Sequence, residues 1–175
     1  QPLFNSGFQN EAIDLAKRTV EIFEEYGAIV LPSGSCTAMI RVEYSHLLKA
    51  WPQWHERALQ LASKTYELSQ FLIHEARWEP ASTSPPSRVT YHDSCSSLHE
   101  LKIKTQPRAL LNKINGLSLI EGKEAETCCG FGGLFCVKDP DISERIVDEK
   151  VNDIVATGAD VVVAADLGCL LNIAD

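Results

Sequence analysis

The sequence predicts an α/β fold with doubly wound, mostly parallel sheets, and three observations carry that expectation. Short apolar runs such as GAIVL and ADVVVAA have the unbroken, β-branched character of strands covered on both faces. Longer stretches with apolar residues at helical spacing lie between them, giving the alternation of strand and helix that parallel sheets require. Finally, the turns LPSGSC and ADLGC break the chain with proline or glycine and set a cysteine where the next helix should begin.

Taken in order, residues 9–25 (QNEAIDLAKRTVEIFEE) place Ile13, Ala16, Val20 and Phe23 on one face of a helix, with Asn10 as its cap and Gly27 as its stop. GAIVLPSG follows as a short strand and turn, with Cys36 at the start of the next helix. From Trp54 to His74, the residues Ala58, Leu61, Ala62, Tyr66, Leu68, Phe71 and Leu72 predict one long helix with a buried face. EPASTSPPS, residues 79–87, carries three prolines in nine positions and is read as a linker. It divides the chain into halves at 1–78 and 88–175.

In the second half, RVTYHDSC is expected as a strand ending at Cys95, LHELKIKTQPRALLNKI as helical with a break near Pro107, and LSLIEG as a strand. DISERIVDEKVNDIVATG reads as a helix with Ser143 or Asp141 near its cap, and GADVVVAAD as a strand from the middle of the sheet, stopping at Cys169. The halves overlay at an offset of 133 residues, which sets NEAIDLAK on SERIVDEK and Cys36 on Cys169. That pattern reads as a weak duplication of Rossmann-like halves. On the overlay, the counterpart of CCGFGG would precede Gln1, so the first half is expected to be truncated at its start.

Composition narrows the function classes. The 175 residues are 45% hydrophobic, enough for a packed core. Acidic residues outnumber basic ones 24 to 16, for a net charge of −8, so a nucleic-acid backbone would be repelled. No basic segment precedes an apolar stretch, and the apolar tail VVVAADLGCLLNIA is interrupted by Asp166 and too short to cross a bilayer. Six cysteines in a chain of this size are read as reduced thiols rather than a disulfide framework. A cytoplasmic protein with no transmembrane segment is the expectation.

The stretch ETCCGFGG, residues 126–133, carries the chemistry. Adjacent Cα atoms stand ~3.8 Å apart, whereas a disulfide needs roughly 4.4–6.8 Å. A bond within the pair Cys128–Cys129 would be strained, and two thiolates turned toward metal are the better reading. Gly130, Gly132 and Gly133 let the backbone turn and bring N–H groups close to sulfur. In doubly wound sheets ligands gather at strand carboxyl ends, where Cys95 and Cys169 sit and which Cys128 and Cys129 reach by a short loop. Four thiolates gathered there carry a charge that calls for metal.

Cys95, the triplet Cys128-Cys129-Gly130 and Cys169, within YHDSCSSLHELKIKTQPRALL, CCGFGGLFCVK and ADLGCLLNI, resemble the CCG cysteine-rich domain family. That family is known from heterodisulfide reductase, the glycolate oxidase iron–sulfur subunit and lactate utilization protein A, and these stretches look most like the last group. QPLFNSGFQ and LPSGSC extend the similarity over essentially the whole chain. The resemblance implies an iron–sulfur electron-transfer subunit in a complex that oxidises L-lactate, or a related 2-hydroxy acid such as glycolate, to the 2-oxo acid. It implies a [4Fe–4S] cluster on Cys95, Cys128, Cys129 and Cys169, a ferredoxin-like iron–sulfur partner and a third lactate-utilization protein. Cys36 would be the last ligand of an incomplete first motif. The fuller family pattern ends in C-x-x-C, but Asn172 stands where its last cysteine would fall, and Cys36 is likewise followed by Thr37, Ala38 and Met39. Four ligands fit an ordinary cubane or a single zinc better than a five-cysteine cluster.

Two alternatives stand beside this reading: a zinc-binding domain that docks partners, and a thiol–disulfide oxidoreductase like heterodisulfide reductase. No acid, base and oxyanion site for a 2-hydroxy acid can be picked out, and catalytic residues stay unassigned. His92 is weighed as a structural turn residue against a ligand, a donor to sulfur or a proton carrier. Asp93 is read as a turn or cap acceptor, Cys136 as a buried apolar thiol, and Glu121, Glu124 and Glu126 as a solvated edge. GFGG lacks the lysine and hydroxyl residue of a phosphate loop.

Overall fold

A computed structural model describes residues 1–81 and 83–175; residue 82, inside the expected linker, lies outside the described residues. The chain is α/β, and every strand pairing among the described residues is parallel. In order the elements are α1 (Pro2–Asn5), α2 (Gln9–Phe23), β1 (Ile29–Leu31), α3 (Gly34–Ala38), α4 (Tyr44–Leu47), α5 (Pro52–Ser63), β2 (Thr65–Glu67), α6 (Leu68–Gln70), β3 (Ser87–His92), α7 (Thr105–Asn112), β4 (Leu117–Leu119), α8 (Phe135–Lys138), α9 (Pro140–Ala156), β5 (Val161–Ala164) and α10 (Leu167–Ala174). π-Helical turns at Met39–Glu43, Phe71–Glu75 and Ser96–Glu100 continue or connect them. β1 pairs with β2, and a second sheet has the order β4-β3-β5.

The first half is organised by α2. Its buried residues Ala12, Ala16 and Val20 recur every four positions, forming the stripe that meets Ile29 of β1 and Tyr44, Ala58 and Leu61 from the following helices. Phe23 lies outside that stripe and is partly exposed. Asn10 is inside the helix, which begins after Phe8 without a side-chain cap.

The long helix expected from Trp54 to His74 is two helices separated by a strand. α5 ends at Ser63, and Thr65, Tyr66 and Glu67 pair in register with Ile29, Val30 and Leu31. β-Branched and aromatic residues suit that position, but apolar residues at helical spacing on both sides concealed the change. Glu67 then caps α6 by accepting from the amides of Ser69 (2.8 Å) and Gln70 (3.3 Å).

In the second half, β3 is central and buried from Val89 to His92. It stops at His92, three residues before the expected end, so Cys95 opens the helical turn that follows. Pro107 does not break its helix: it lies in the first turn of α7, where a missing N–H removes no bond. The break falls before it, where Lys102 adopts φ +58°. α9 begins at Pro140 and takes no side-chain cap from Asp141 or Ser143. β5 lies at the edge of the described sheet rather than in its middle, with Val161 48% exposed.

α3 and α10, which carry Cys36 and Cys169, meet where each begins. Ser33 caps α3, Asp166 caps α10, and the Ser33 hydroxyl donates to Asp166 Oδ2 (3.2 Å). The Ser35 amide reaches the same oxygen (3.2 Å), while Gly168 N donates to Oδ1 (3.2 Å). One carboxylate therefore caps both helices. Gly34 N also donates to the Ala165 carbonyl (3.1 Å). A Cβ on Gly34 would collide with the Ser97 hydroxyl, so α3 lies tight against the turn that follows Cys95.

Candidate metal centre

β3 ends beside Cys95, β5 ends just before Cys169, and the loop after β4 delivers Cys128 and Cys129. All four line one cavity of about 410 Å³, whose wall also includes Gly132, Gly133, Phe131 and Asp166. Cys129 and Cys169 are buried, Cys128 is half-buried and Cys95 is exposed. Gly130 is the turn behind the pair rather than part of the wall. Cys36 is exposed on α3 and does not line this cavity. Cys136 is half-buried rather than buried, and its thiol donates to the Gly133 carbonyl (3.3 Å).

The loop is held by its backbone. Gly130, Gly132 and Gly133 have φ of +83°, +50° and +66°, the left-handed region that favours glycine. Gly130 N points at Cys128 Sγ (3.3 Å), Ser143 Oγ donates to the Gly130 carbonyl (2.9 Å), and Asn172 Nδ2 donates to the Cys129 carbonyl (2.8 Å). Phe131 packs against Gly168, where any Cβ would strike its ring. The two cysteine-bearing turns are thereby locked to each other.

The sulfurs form two electrostatic pairs. Burial, then the neighbouring Cys128, push the Cys95 thiol up to about 11. Cys129 is pulled down to about 4, first by the Cys169 thiol beside it, against burial, and further by His92 and the Phe131 amide. Cys169 is raised in turn, because Cys129 holds the thiolate form and burial disfavours a second charge. The two sulfurs share one proton, and the direction of both shifts favours the thiolate at Cys129.

His92 carries no distinctive spacing in the sequence. It is 2% exposed, and neither ring nitrogen has a hydrogen-bond partner, a costly state for a buried polar group. A ring nitrogen, Cys129 Sγ and Cys169 Sγ lie within 4.8 Å of one another. The ring biases Cys129 toward its thiolate, although by distance and angle no hydrogen bond joins them. Soft sulfurs and an imidazole suit zinc or iron–sulfur iron rather than calcium or magnesium. The donor set and the two orphaned nitrogens fit a metal.

Asp93, next in the chain, is not a cap. Its buried carboxylate takes a two-pronged contact from Arg108 (2.9 and 2.7 Å), whose guanidinium also holds Glu121 (2.6 and 2.9 Å) and stacks over Tyr91. This network ties the end of β3 to α7 and to the loop leading to the cysteine pair. Nothing in the spacing of Asp93 and Arg108 announced it.

The profile of the CCG family, described as a cysteine-rich domain, matches residues 1–41 and 89–174. The chain belongs to the CCG cysteine-rich domain family. Among similar proteins of known name, Lactate utilization protein A of Shouchella clausii is 47% identical over 173 residues, covering 99% of this chain and 72% of the relative. Its namesake in Halalkalibacterium halodurans is 49% identical, with 99% and 70% covered, and that of Bacillus subtilis is 43% identical, with 99% and 72% covered. The segment Cys128-Cys129-Gly130 lies within the matched residues, and Asn172 and Ser143 hold its Cys129 and Gly130 carbonyls. No helix of the described residues is long and apolar enough to cross a membrane.

Proposed function

We propose that this chain is the thiolate-bearing, electron-transfer part of a lactate-oxidising system, with a [4Fe–4S] cluster held by Cys95, Cys128, Cys129 and Cys169. The observation that carries the reading is that four cysteines, from three separate turns, line one cavity. The substrate comes from the relatives, which are named for lactate utilization; L-lactate is the first expectation and glycolate the second. A bound cluster would supply one-electron transfer. The chain's own part is to present thiolates, with Cys129 already favouring that form, to bring glycine amides near sulfur, and to shield the deeper pair from water.

On this reading the protein works in the cytoplasm beside a ferredoxin-like iron–sulfur subunit and a third lactate-utilization protein. Its two halves divide at 79–87, and Cys36 belongs to a first motif. The test is iron, zinc and acid-labile sulfide quantification on anaerobically purified protein and on Cys129→Ser. About four irons per chain are expected from a four-cysteine cubane, with most lost in the variant. Iron content unchanged by Cys129→Ser would remove that residue as a ligand, and a wild-type chain carrying zinc alone would overturn the cluster.

One observation favours a second reading, a single zinc ion: the closeness of His92, Cys129 and Cys169. Donors around tetrahedral zinc, with Zn–S of ~2.3 Å, stand roughly 3.8 Å apart. His92→Ala would then strip zinc, whereas a four-cysteine cluster would keep its iron in that variant.

A further inference from the structure

Lysine is among the residues least often fully buried without a partner, yet Lys150 is 2% exposed. It stands on α9, one turn before Asp153, so both side chains face the same way. The segment they face is the loop from Glu121 to Thr127, which leads from β4 to the cysteine pair. Asp153 accepts the amides of Lys123 (2.9 Å) and Glu124 (3.1 Å), while Lys150 Nζ donates to the carbonyls of Glu124 and Ala125. α9 thereby supplies this loop with the acceptor and the donor that a neighbouring strand would otherwise offer. Gly122 allows the approach, since a Cβ there would strike the Asp153 carboxylate.

A neutral side chain could have served those two carbonyls. An ammonium costs more to bury, and burial does lower the Lys150 pKa; the negative groups opposing that shift are Asp153, Asp93, Cys129 and Glu124. Asp93 and Asp153 are already engaged, by Arg108 and by two backbone amides. The cysteine site is where further negative charge would collect.

We propose that Lys150 is a positioning residue for the cysteine pair: it fastens the approach loop through two carbonyls and keeps a fixed positive charge under the loop that leads to the thiolates. The charge half rests on the thiolate centre proposed above; the fastening half does not.

The experiment uses the full chain and the variants Lys150→Met and Asp153→Asn. In metal-free protein, amide exchange across residues 122–130 is expected to speed up at least tenfold in both variants. Unchanged exchange in Lys150→Met would overturn the fastening. In reconstituted protein, Lys150→Met is expected to make reduction of the centre about tenfold less favourable, ~59 mV more negative for one electron. Asp153→Asn loosens the same loop but removes a negative charge, so its potential stays or moves the other way. Equal shifts in the two variants would overturn the charge role. If the wild-type chain takes up zinc instead, retention against a chelator replaces the potential, with the same contrast expected. A wild-type chain that holds neither metal ends the reading under Proposed function and with it the charge role, while exchange still decides the fastening. Should Lys150→Met not fold, Lys150→Gln replaces it in the metal measurements and Asp153→Asn alone decides the exchange.

Discussion

Alanine at Gly130 and alanine at Gly133 make the same chemical change three residues apart, and the structure predicts unequal costs. Both glycines have positive φ, which charges an alanine roughly 1–2 kcal/mol. At Gly133 the cost ends there, because a Cβ would meet nothing within 4 Å. At Gly130 the Cβ would come 2.6 Å from the Ser143 carbonyl oxygen, 3.3 Å from its hydroxyl and 3.4 Å from Ile146 Cβ. The obstacle is helix backbone, so α9 or the loop must move, an overpacking cost of about 1–3 kcal/mol. Movement also loosens the buried bond from Ser143 to the Gly130 carbonyl, worth about 1 kcal/mol. Gly130→Ala should therefore lose about 3–6 kcal/mol and Gly133→Ala about 1–2 kcal/mol. Urea unfolding of metal-free protein, read as a shift in midpoint at constant slope, measures both. Losses within about 1 kcal/mol of each other would refute the account of a loop pinned against α9.

Asp93→Asn should cost about 3–5 kcal/mol, since it leaves Arg108 buried without its full counter-charge; side-chain exposures of 1% for Asp93 and 15% for Arg108 leave water little room to compensate, and urea unfolding reads the loss. Asp166→Ala removes the cap of α10 and the acceptor for Ser33 and Ser35, for about 1–2 kcal/mol together with faster amide exchange at Ser35; a change confined to α10 would show that the carboxylate does not join the halves. The metal-free protein should lose stability as pH rises between 9 and 11. Cys95 is raised from 9.0 to about 11, so the folded state holds a proton that the unfolded chain has released, and that contribution is complete below pH 9 and fades above it. Cys169, also raised, adds to the loss above pH 9, so Cys95→Ser should make this decline shallower without abolishing it in pH-dependent denaturation.

The elements that could be read in advance are those whose cause is local. α2 and β1 follow from the spacing of Ala16 and Val20 and from the run Ile29–Leu31, which need no knowledge of the rest of the chain. β2 escaped because Thr65, Tyr66 and Glu67 become a strand only by pairing with β1, a partner distant in sequence. β5 misled in the opposite sense. An apolar run is consistent with the middle of a sheet, but neighbours decide its place, and among the described residues only β3 lies beside it.

The cysteines were legible because their chemistry has few other uses in such a loop, whereas the groups around them are ordinary residues given meaning by position. His92 shows why. Alternation along β3 says nothing about its role, since the strand is buried on both faces from Val89 onward. What matters is that one strand end supplies two donors in different directions. Cys95 is influenced more by Cys128 than by any other side chain, while His92 sits with Cys129 and Cys169. The adjacent cysteines are therefore not equivalent: Cys128 is half-buried, whereas Cys129 is buried with Cys169 and His92. Replacing Cys129 disturbs a buried group of three donors, and replacing Cys128 a partly solvated pair. A centre built on all four sulfurs must span both groups, so Cys128→Ser should weaken a cluster yet spare an ion held by His92, Cys129 and Cys169 alone.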